Sequence, residues 1–495
     1  MDYVSTRAGD AAARRSASYV IKEGIAPDGG LYVPESIPAL DGAALASLSD
    51  ITYRERAAKI LGMYLTDYSA EELSACAAAA YSEQNFGPRP APLSLFGQDA
   101  FLELWHGPTC AFKDMALQIM PRLLSLALGK QNCAEDALIL VATSGDTGKA
   151  ALEGYRDVDR VRILVFYPTG GVSKIQRRQM ASQQGGNVGV AAIRGNFDDA
   201  QTAVKRVFTS AEMARRASEC GCFFSSANSI NWGRLAPQIV YYVSAYCDLA
   251  ASGKITRGEK INICVPTGNF GNILAAFIAK RMGLPVDRLI CASNSNNVLT
   301  DFFATGVYDR RREFHTTISP SMDILISSNL ERLLYFFAGA ENTAAWMRSL
   351  SATGAFDVGG ALRDELAGTF SAYYLTEDET MATIARRFER DGYLIDPHTA
   401  VAVGALEKYR AATGDDRVTV IASTASPYKF APAVCEALSR KVSGDEFDCI
   451  DALAAVSGLP VPPQLLSLRT AADRFTEVID RDGIDRAVTD FMKSR

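Results

Sequence analysis

INICVPTGNFGNILAAFIAKRM, residues 261 to 282, changes its pattern twice within a few residues. Ile261 to Val265 is a mostly apolar run of β-type residues. PTGNFGN, 266 to 272, is a glycine-rich turn, and the run from Ile273 to Met282 has helical character. The stretch therefore reads as strand, turn and helix. The same order recurs upstream, where Ala137 to Ala142 (ALILVA) is followed by TSGDTG, 143 to 148, and a helical pattern from Lys149. Further β-type runs stand at Val161 to Tyr167, Leu289 to Ala292 and Val418 to Ala422. They are continuous rather than alternating, which suits strands covered on both faces. An α/β protein with parallel sheets flanked by helices follows, and its ligands are expected beyond the carboxyl ends of the strands.

Glycines at 268 and 271 let backbone amides crowd an oxyanion, and the helix N-terminus adds partial positive charge. Phosphate or carboxylate suits both loops. Nucleotide motifs do not fit. SGDTGKA has two residues between Gly145 and Gly148 where a P-loop needs four, and Ala150 stands in place of Ser or Thr. No G-x-G-x-x-G follows a strand.

The chain of 495 residues exceeds one ordinary core. Its first 95 or so residues carry turn signals such as PDGG (27 to 30) and a helical pattern over Ala70 to Tyr81, and they end at the Pro-rich GPRPAPL, 87 to 93. We read residues 1-95 as an N-terminal mixed α/β domain and 96-495 as a core made of two α/β subdomains. A net charge of -6 argues against nucleic acid as a partner. No apolar run is long enough to span a membrane, and the N-terminus lacks a secretory signal, so a cytoplasmic protein is expected. Ten cysteines, several inside apolar runs, fit that compartment, and with three histidines a metal site is not expected.

HGPTCAFKDMA, 106 to 116, contains the first lysine after Lys59. Lys113 precedes an apolar helical pattern, where the helix dipole disfavours a cation. A partly desolvated amine there is pushed toward its neutral, nucleophilic form, the form that condenses with an aldehyde. Next to a phosphate-binding loop, such a lysine suggests pyridoxal phosphate. The common alternative is a lysine whose stem lies along the surface.

HGPTCAFKDMA, SGDTG and PTGNFGN resemble the threonine synthase family in its longer fungal and bacterial form. So do PDGGLYVP (27 to 34), SKIQRRQM (173 to 180), SANSINWGR (226 to 234), ASNSNNVLTDFF (292 to 303), SPSMDILISSNLER (319 to 332), DPHTAVAVGA (396 to 405) and STASPYKF (423 to 430). These motifs run in order across nearly the whole chain.

The resemblance implies a fold type II pyridoxal-phosphate enzyme, like the tryptophan synthase β chain. It would convert O-phospho-L-homoserine and water into L-threonine and phosphate. Lys113 would hold the cofactor, flanked by Phe112, and shuttle protons once released. Gly268, Asn269, Phe270, Gly271 and Asn272 would take the cofactor phosphate, and Thr424 would face the pyridine nitrogen. Ser144, Gly145, Asp146, Thr147 and Gly148 would take the substrate carboxylate. Lys174, Arg234, Ser319 and Ser321 are candidates for the leaving phosphate. Outside the resemblance, Thr424 reads as a strand-end residue, Asp146 as a helix cap, and Asn269 and Asn272 as turn formers. A monomer or homodimer acting on a small molecule is expected. The alternative outcome on the same cofactor is a phospholyase that acts on O-phosphohomoserine or O-phosphothreonine and gives 2-oxobutyrate. Two departures stand out: Ala8 where the family has glycine, and Ser426 and Tyr428 in STASPYKF where the family has STAHPAKF.

Overall fold

The computed structural model describes residues 1–9 and 13–494. Asp10 to Ala12, within the N-terminal stretch read for a signal, lie outside the described residues.

Two sheets organise the chain. The six-stranded sheet runs in the order Phe370–Tyr374, Val286–Ser293, Ile261–Pro266, Thr419–Ser423, Asp99–Glu103 and Leu93–Phe96. All its pairs are parallel except the last, an antiparallel hairpin. Cys264 lies between Ile290 and Ile421 at the centre. The five-stranded sheet has the order Val478–Ile479, Val188–Ile193, Val161–Pro168, Asp136–Ala142 and Cys222–Ser225, and all its pairs are parallel.

Each β-type run read from the sequence is a strand; four are extended by one to three residues at one or both ends, and the fifth is shifted by one, with Val418 outside the strand and Ser423 inside it. Ile261–Pro266 is buried throughout, Asn262 included, because that side chain donates to Asp415 (3.0 Å). Burying an Ile or Val side chain contributes about 1.5–3 kcal/mol, so a strand covered on both faces tolerates only such satisfied polar exceptions.

Helices cover both sheets. Trp232–Ala251 is almost wholly buried and packs against Gly271–Met282 and the N-terminal helix Tyr53–Tyr64. Capping boxes start Tyr53–Tyr64, Ala70–Ala80 and Lys174–Ala181, where Thr52, Ser69 and Ser173 pair with Glu55, Glu72 and Gln176. The N-terminal part is mainly helical, with a short antiparallel pair, Tyr3–Ser5 and Tyr32–Pro34. The glycine-rich loops 143–148 and 266–272 and Thr424 all follow the carboxyl ends of parallel strands.

Candidate active site

Lys113 is not on the first turn of a long helix. It immediately precedes Asp114–Leu117, a single turn, and Met120–Lys130 begins only after a break. One turn carries little macrodipole, so the dipole does not account for the behaviour of this amine. Burial lowers its proton affinity, Asp146 opposes that, and the Lys429 and Arg234 cations lower it further. The ammonium donates to Ser321 Oγ at 2.9 Å and lies 3.4 Å from Asp146 Oδ2. Phe112 lies beside it, with Nζ 5.4 Å from the ring centroid, and the Phe112 amide donates to the carbonyl of Thr424 (2.8 Å). The end of the strand bearing Thr424 thus lies against the segment bearing Lys113.

Asp146 does not cap its helix. Gly145 holds that position, with φ 144°, and Asp146 is the first helical residue. Its carboxylate is held by Lys429 Nζ (2.8 Å) and Gln176 Nε2 (2.9 Å). Burial alone would raise its pKa, but Lys429 and then Lys113 outweigh burial and hold it far below the usual carboxylate range. Lys429, a fully buried side chain, also donates to the Thr109 carbonyl (2.9 Å). Sequence reasoning passes over Lys429 within STASPYKF. The signal that marks it is a lone lysine among apolar and proline residues (PYKFAPAV).

His398 supports Ser321 from behind. The Ser321 amide donates to His398 Nε2 (3.2 Å), which leaves the ring proton on Nδ1, facing Asp396 Oδ2 at 2.6 Å. Asp396 also caps helix Pro397–Thr413, accepting from the amides of His398 and Thr399. One line of contacts therefore runs Asp396, His398, Ser321, Lys113, Asp146, Lys429, buried at both ends and partly open at Ser321 and Lys113.

The two loops differ in their free groups. In 143–148, the amides of Gly145 and Gly148 both donate to Thr143 Oγ1 (3.0 Å each), while Ser144 is exposed. A Cβ at Gly148 would lie 2.3 Å from Thr143 Cγ2. In 266–272, helix Gly271–Met282 begins after Phe270, whose φ of 65° is left-handed, and no side chain caps it. Its first-turn amides have no intrahelical acceptor. Asn269 and Asn272 do more than form a turn. The Asn269 carbonyl accepts from Asn329, and Asn272 Oδ1 accepts from Tyr241 and Tyr242 while its buried Nδ2 has no partner. A Cβ at Gly268 would lie 2.8 Å from the Ser321 carbonyl, so the loop packs directly on the Ser321 backbone.

The remaining expected residues lie in varied settings. Arg234 is buried and donates to the Ala227 carbonyl (2.6 Å), with Nε unpaired. Burial lowers its pKa to about 10, against the opposing effect of Tyr155. Ser319 sits inside a network with Asn294 and Thr317 (3.0 and 3.2 Å) and supports the turn that carries Ser321. Lys174 is exposed and paired with Asp445, and it makes no contact with the Lys113 group among the described residues. Tyr428 donates to the Leu459 carbonyl (2.7 Å) and so faces the C-terminal helices. Ser426 is buried with its hydroxyl unpaired.

Three family models cover most of the chain: "Threonine synthase N terminus" over residues 2–81, "Pyridoxal-phosphate dependent enzyme" over 93–424, and "Threonine synthase, C-terminal" over 399–488. The threonine synthase of Pseudomonas aeruginosa is 39% identical, with 88% of this chain and 90% of that protein aligned. The chain belongs to the threonine synthase family. Another family relative, threonine synthase-like 1 of Homo sapiens, is 40% identical over 92% of this chain, which spans 62% of that protein's length. Among solved structures, pyridoxal-phosphate-bound threonine synthase from Brucella melitensis superposes with TM-score 0.88 at 35% identity and 100% coverage of both chains. Yeast threonine synthase gives 0.90 at 32%, covering 100% of this chain and 99% of its own. These relatives confirm the expected fold: parallel α/β sheets of the pyridoxal-phosphate class.

Proposed function

We propose that this family member converts O-phospho-L-homoserine and water into L-threonine and phosphate, with pyridoxal 5'-phosphate as cofactor. The observation that carries this reading is the charge around Lys113. The amine has one carboxylate neighbour, Asp146, already taken up by Lys429, and a further cation in Arg234. A buried group with such an excess of positive charge suits ligands that bring several negative charges, as a phosphorylated amino acid and a phosphorylated cofactor do.

The residues present fit the cofactor. The uncapped helix start at Phe270 and Gly271 offers amides to a phosphate, and the buried Asn272 Nδ2 lacks an acceptor. Gly268 allows the loop to lie against Ser321, and Lys113 is pushed toward its neutral form. Lys113, Phe112, Gly268 to Asn272 and Thr424 would hold it. When bound, pyridoxal phosphate supplies the electron sink that makes protons on substrate carbons acidic.

The chain's own groups do the rest. Neutral Lys113 Nζ accepts a substrate proton, and Ser321 Oγ and Asp146 hold the ammonium that results. Lys429 keeps Asp146 ionised, so that Lys113 is held without losing its proton to the carboxylate. Because Thr143 occupies the Gly145 and Gly148 amides, we assign the substrate carboxylate to the amides and hydroxyls of Ser144 and Thr147 and to the amide of Asp146. The two glycines shape the loop. Arg234 and Ser321 are assigned to the leaving phosphate, with Ser319 as support; Lys174 would have to leave Asp445 to join them.

We further take residues 1-95 as the N-terminal domain and 96-495 as the catalytic core; the separate match of residues 2–81 to the threonine synthase N terminus supports a distinct N-terminal unit. Ten free cysteines favour a reducing, cytoplasmic setting. We take the protein to act there as a monomer or homodimer on a small molecule, and no described helix is long and apolar enough to cross a membrane.

The test is to incubate the purified protein and cofactor with O-phospho-L-homoserine. Threonine and phosphate in equal amounts are expected. Release of 2-oxobutyrate and ammonia in place of threonine would replace the synthase with a phospholyase.

A further inference from the structure

Two N-terminal motifs, STRA (5 to 8) and PDGGLYVP, take no part in the site described above, yet they are firmly locked together. The Thr6 amide donates to the Leu31 carbonyl and the Leu31 amide to Thr6 Oγ1, both at 2.8 Å. Ser5 Oγ donates to Asp28 at 2.8 Å, and a Cβ on Gly30 would lie 2.2 Å from Ser5 Oγ. This pair of segments grips the start of helix Leu330–Thr353. Glu331 accepts from Thr6 Oγ1 (2.5 Å) and from Arg7 Nε and Nη2 (2.8 Å each). The next residue, Arg332, is fully buried. Its guanidinium donates to the Tyr32 carbonyl (2.9 Å), to Asn329 Oδ1 (2.5 Å) and to the Ile230 carbonyl (2.5 Å).

With its oxygen held by Arg332, Asn329 turns its amide nitrogen to the Asn269 carbonyl (3.1 Å), which the Asn329 backbone amide also reaches (3.0 Å). Ser327 Oγ holds the neighbouring Gly268 carbonyl at 2.7 Å. Two carbonyls of the 266–272 loop are thus drawn to the side facing Ser327 and Asn329. A carbonyl oxygen turned toward an anion repels it, whereas amides left on the opposite side attract it. The planar fork of Arg332 reaches three acceptors on three chain segments, which a lysine cannot match.

We propose that Asn329 and Arg332 are positioning residues for the phosphate grip of this loop. In this view the N-terminal segment, through Thr6, Arg7 and Tyr32, fixes them in place. This rests on the reading that the loop receives the cofactor phosphate. The N-terminal domain is then part of the cofactor site although its described residues make no hydrogen bond to the cofactor loop.

The test compares two probes on the cofactor-free full chain: pyridoxal 5'-phosphate, and pyridoxal, which lacks the phosphate. Binding of each is followed by visible absorbance, and the ratio of the two dissociation constants measures the phosphate grip. Asn329→Ala is expected to weaken pyridoxal 5'-phosphate by about tenfold and pyridoxal by less than about twofold. Arg332→Lys shifts the ratio in the same direction. Arg7→Met, at a partly exposed side chain distant in sequence from the loop, shifts it by roughly threefold. Arg7→Met also keeps the idea falsifiable if Arg332→Lys does not fold, and thermal unfolding without cofactor identifies that case. Parallel weakening of both probes, or an unchanged ratio in folded Asn329→Ala and Arg7→Met, would overturn the proposal. If the unaltered protein binds both probes equally, the phosphate-loop reading itself fails, and the coupling has nothing to act on.

Discussion

At the carboxyl end of Asp136–Ala142 the chain passes into its helix through Gly145, and at the end of Ile261–Pro266 it does so through Phe270. Both of these residues have positive φ, and neither supplies a side-chain hydrogen bond to the helix it precedes. Beyond that the two turns diverge. The first loop carries a carboxylate, Asp146, in its opening turn, bound to Lys429, and two of its amides are occupied by Thr143. The second has no acidic residue in its opening turn, and its carbonyls are held from behind by Ser327 and Asn329. The same strand, turn and helix therefore holds a lysine in one place and, under the function proposed above, receives an anion in the other. What decides is where the side chains around the turn send its charge.

The largest expected effect comes from removing the lysine that the first loop holds. Lys113→Ala is expected to lower threonine formation by roughly 10²–10⁴-fold and to abolish the visible band of lysine-bound cofactor. Retained turnover would move catalysis elsewhere in the site. Next is Lys429→Met, which leaves the buried Asp146 without its close cation, with only Gln176 and the longer contacts to Lys113 and Ser321, and costs about 3–5 kcal/mol in denaturant unfolding. The pH dependence follows from the sign of the Asp146 shift. Its folded-state pKa is depressed, so its contribution is present above the unfolded value near ~3.9 and is lost as pH falls through the folded value. The gap between the unaltered protein and Lys429→Met should therefore narrow below about pH 4. A gap that widened on acidification would reverse the assignment.

The glycines separate the two loops directly. Gly268→Ala pushes a methyl against the Ser321 backbone, at about 1–3 kcal/mol, and should weaken cofactor binding. Gly148→Ala displaces Thr143 and should raise KM for the phosphorylated substrate with less change in cofactor affinity. Identical profiles for the two variants would erase the distinction between the loops. The smallest effect belongs to a departure outside both loops. Tyr428→Phe loses its bond to the Leu459 carbonyl, about 0.5–1.5 kcal/mol of stability, with kcat unchanged.

The strands easiest to read from sequence are those buried on both faces, such as Ile261–Pro266 and Val161–Pro168, because burial imposes a continuous apolar run. Asp99–Glu103 and Phe370–Tyr374 are not legible in that way: one is bounded by acids, the other mixes serine and tyrosine, and each is defined by its neighbours in the sheet. Val478–Ile479 is too short for any pattern and exists through its pairing with Val188–Ile193. At the site, Lys113 is legible because its surroundings are unusual for a lysine. Its partner Ser321, and Lys429, which holds its other partner Asp146, belong to segments far along the chain, and no local pattern links them. The motif around Lys429 carries the information, but the charge that Lys429 balances becomes visible only when Asp146 is placed beside it.

Thr419–Ser423 lies in the middle of the six-stranded sheet, between Ile261–Pro266 and Asp99–Glu103, although it belongs to the last fifth of the chain. Synthesis proceeds from the N-terminus, and until this strand emerges the sheet exists as two unjoined parts with exposed edges. Thr424 follows this strand directly and Lys429 lies six residues beyond its end, so the segment that joins the sheet also carries the cation held by Asp146. A chain broken off before that point gains neither.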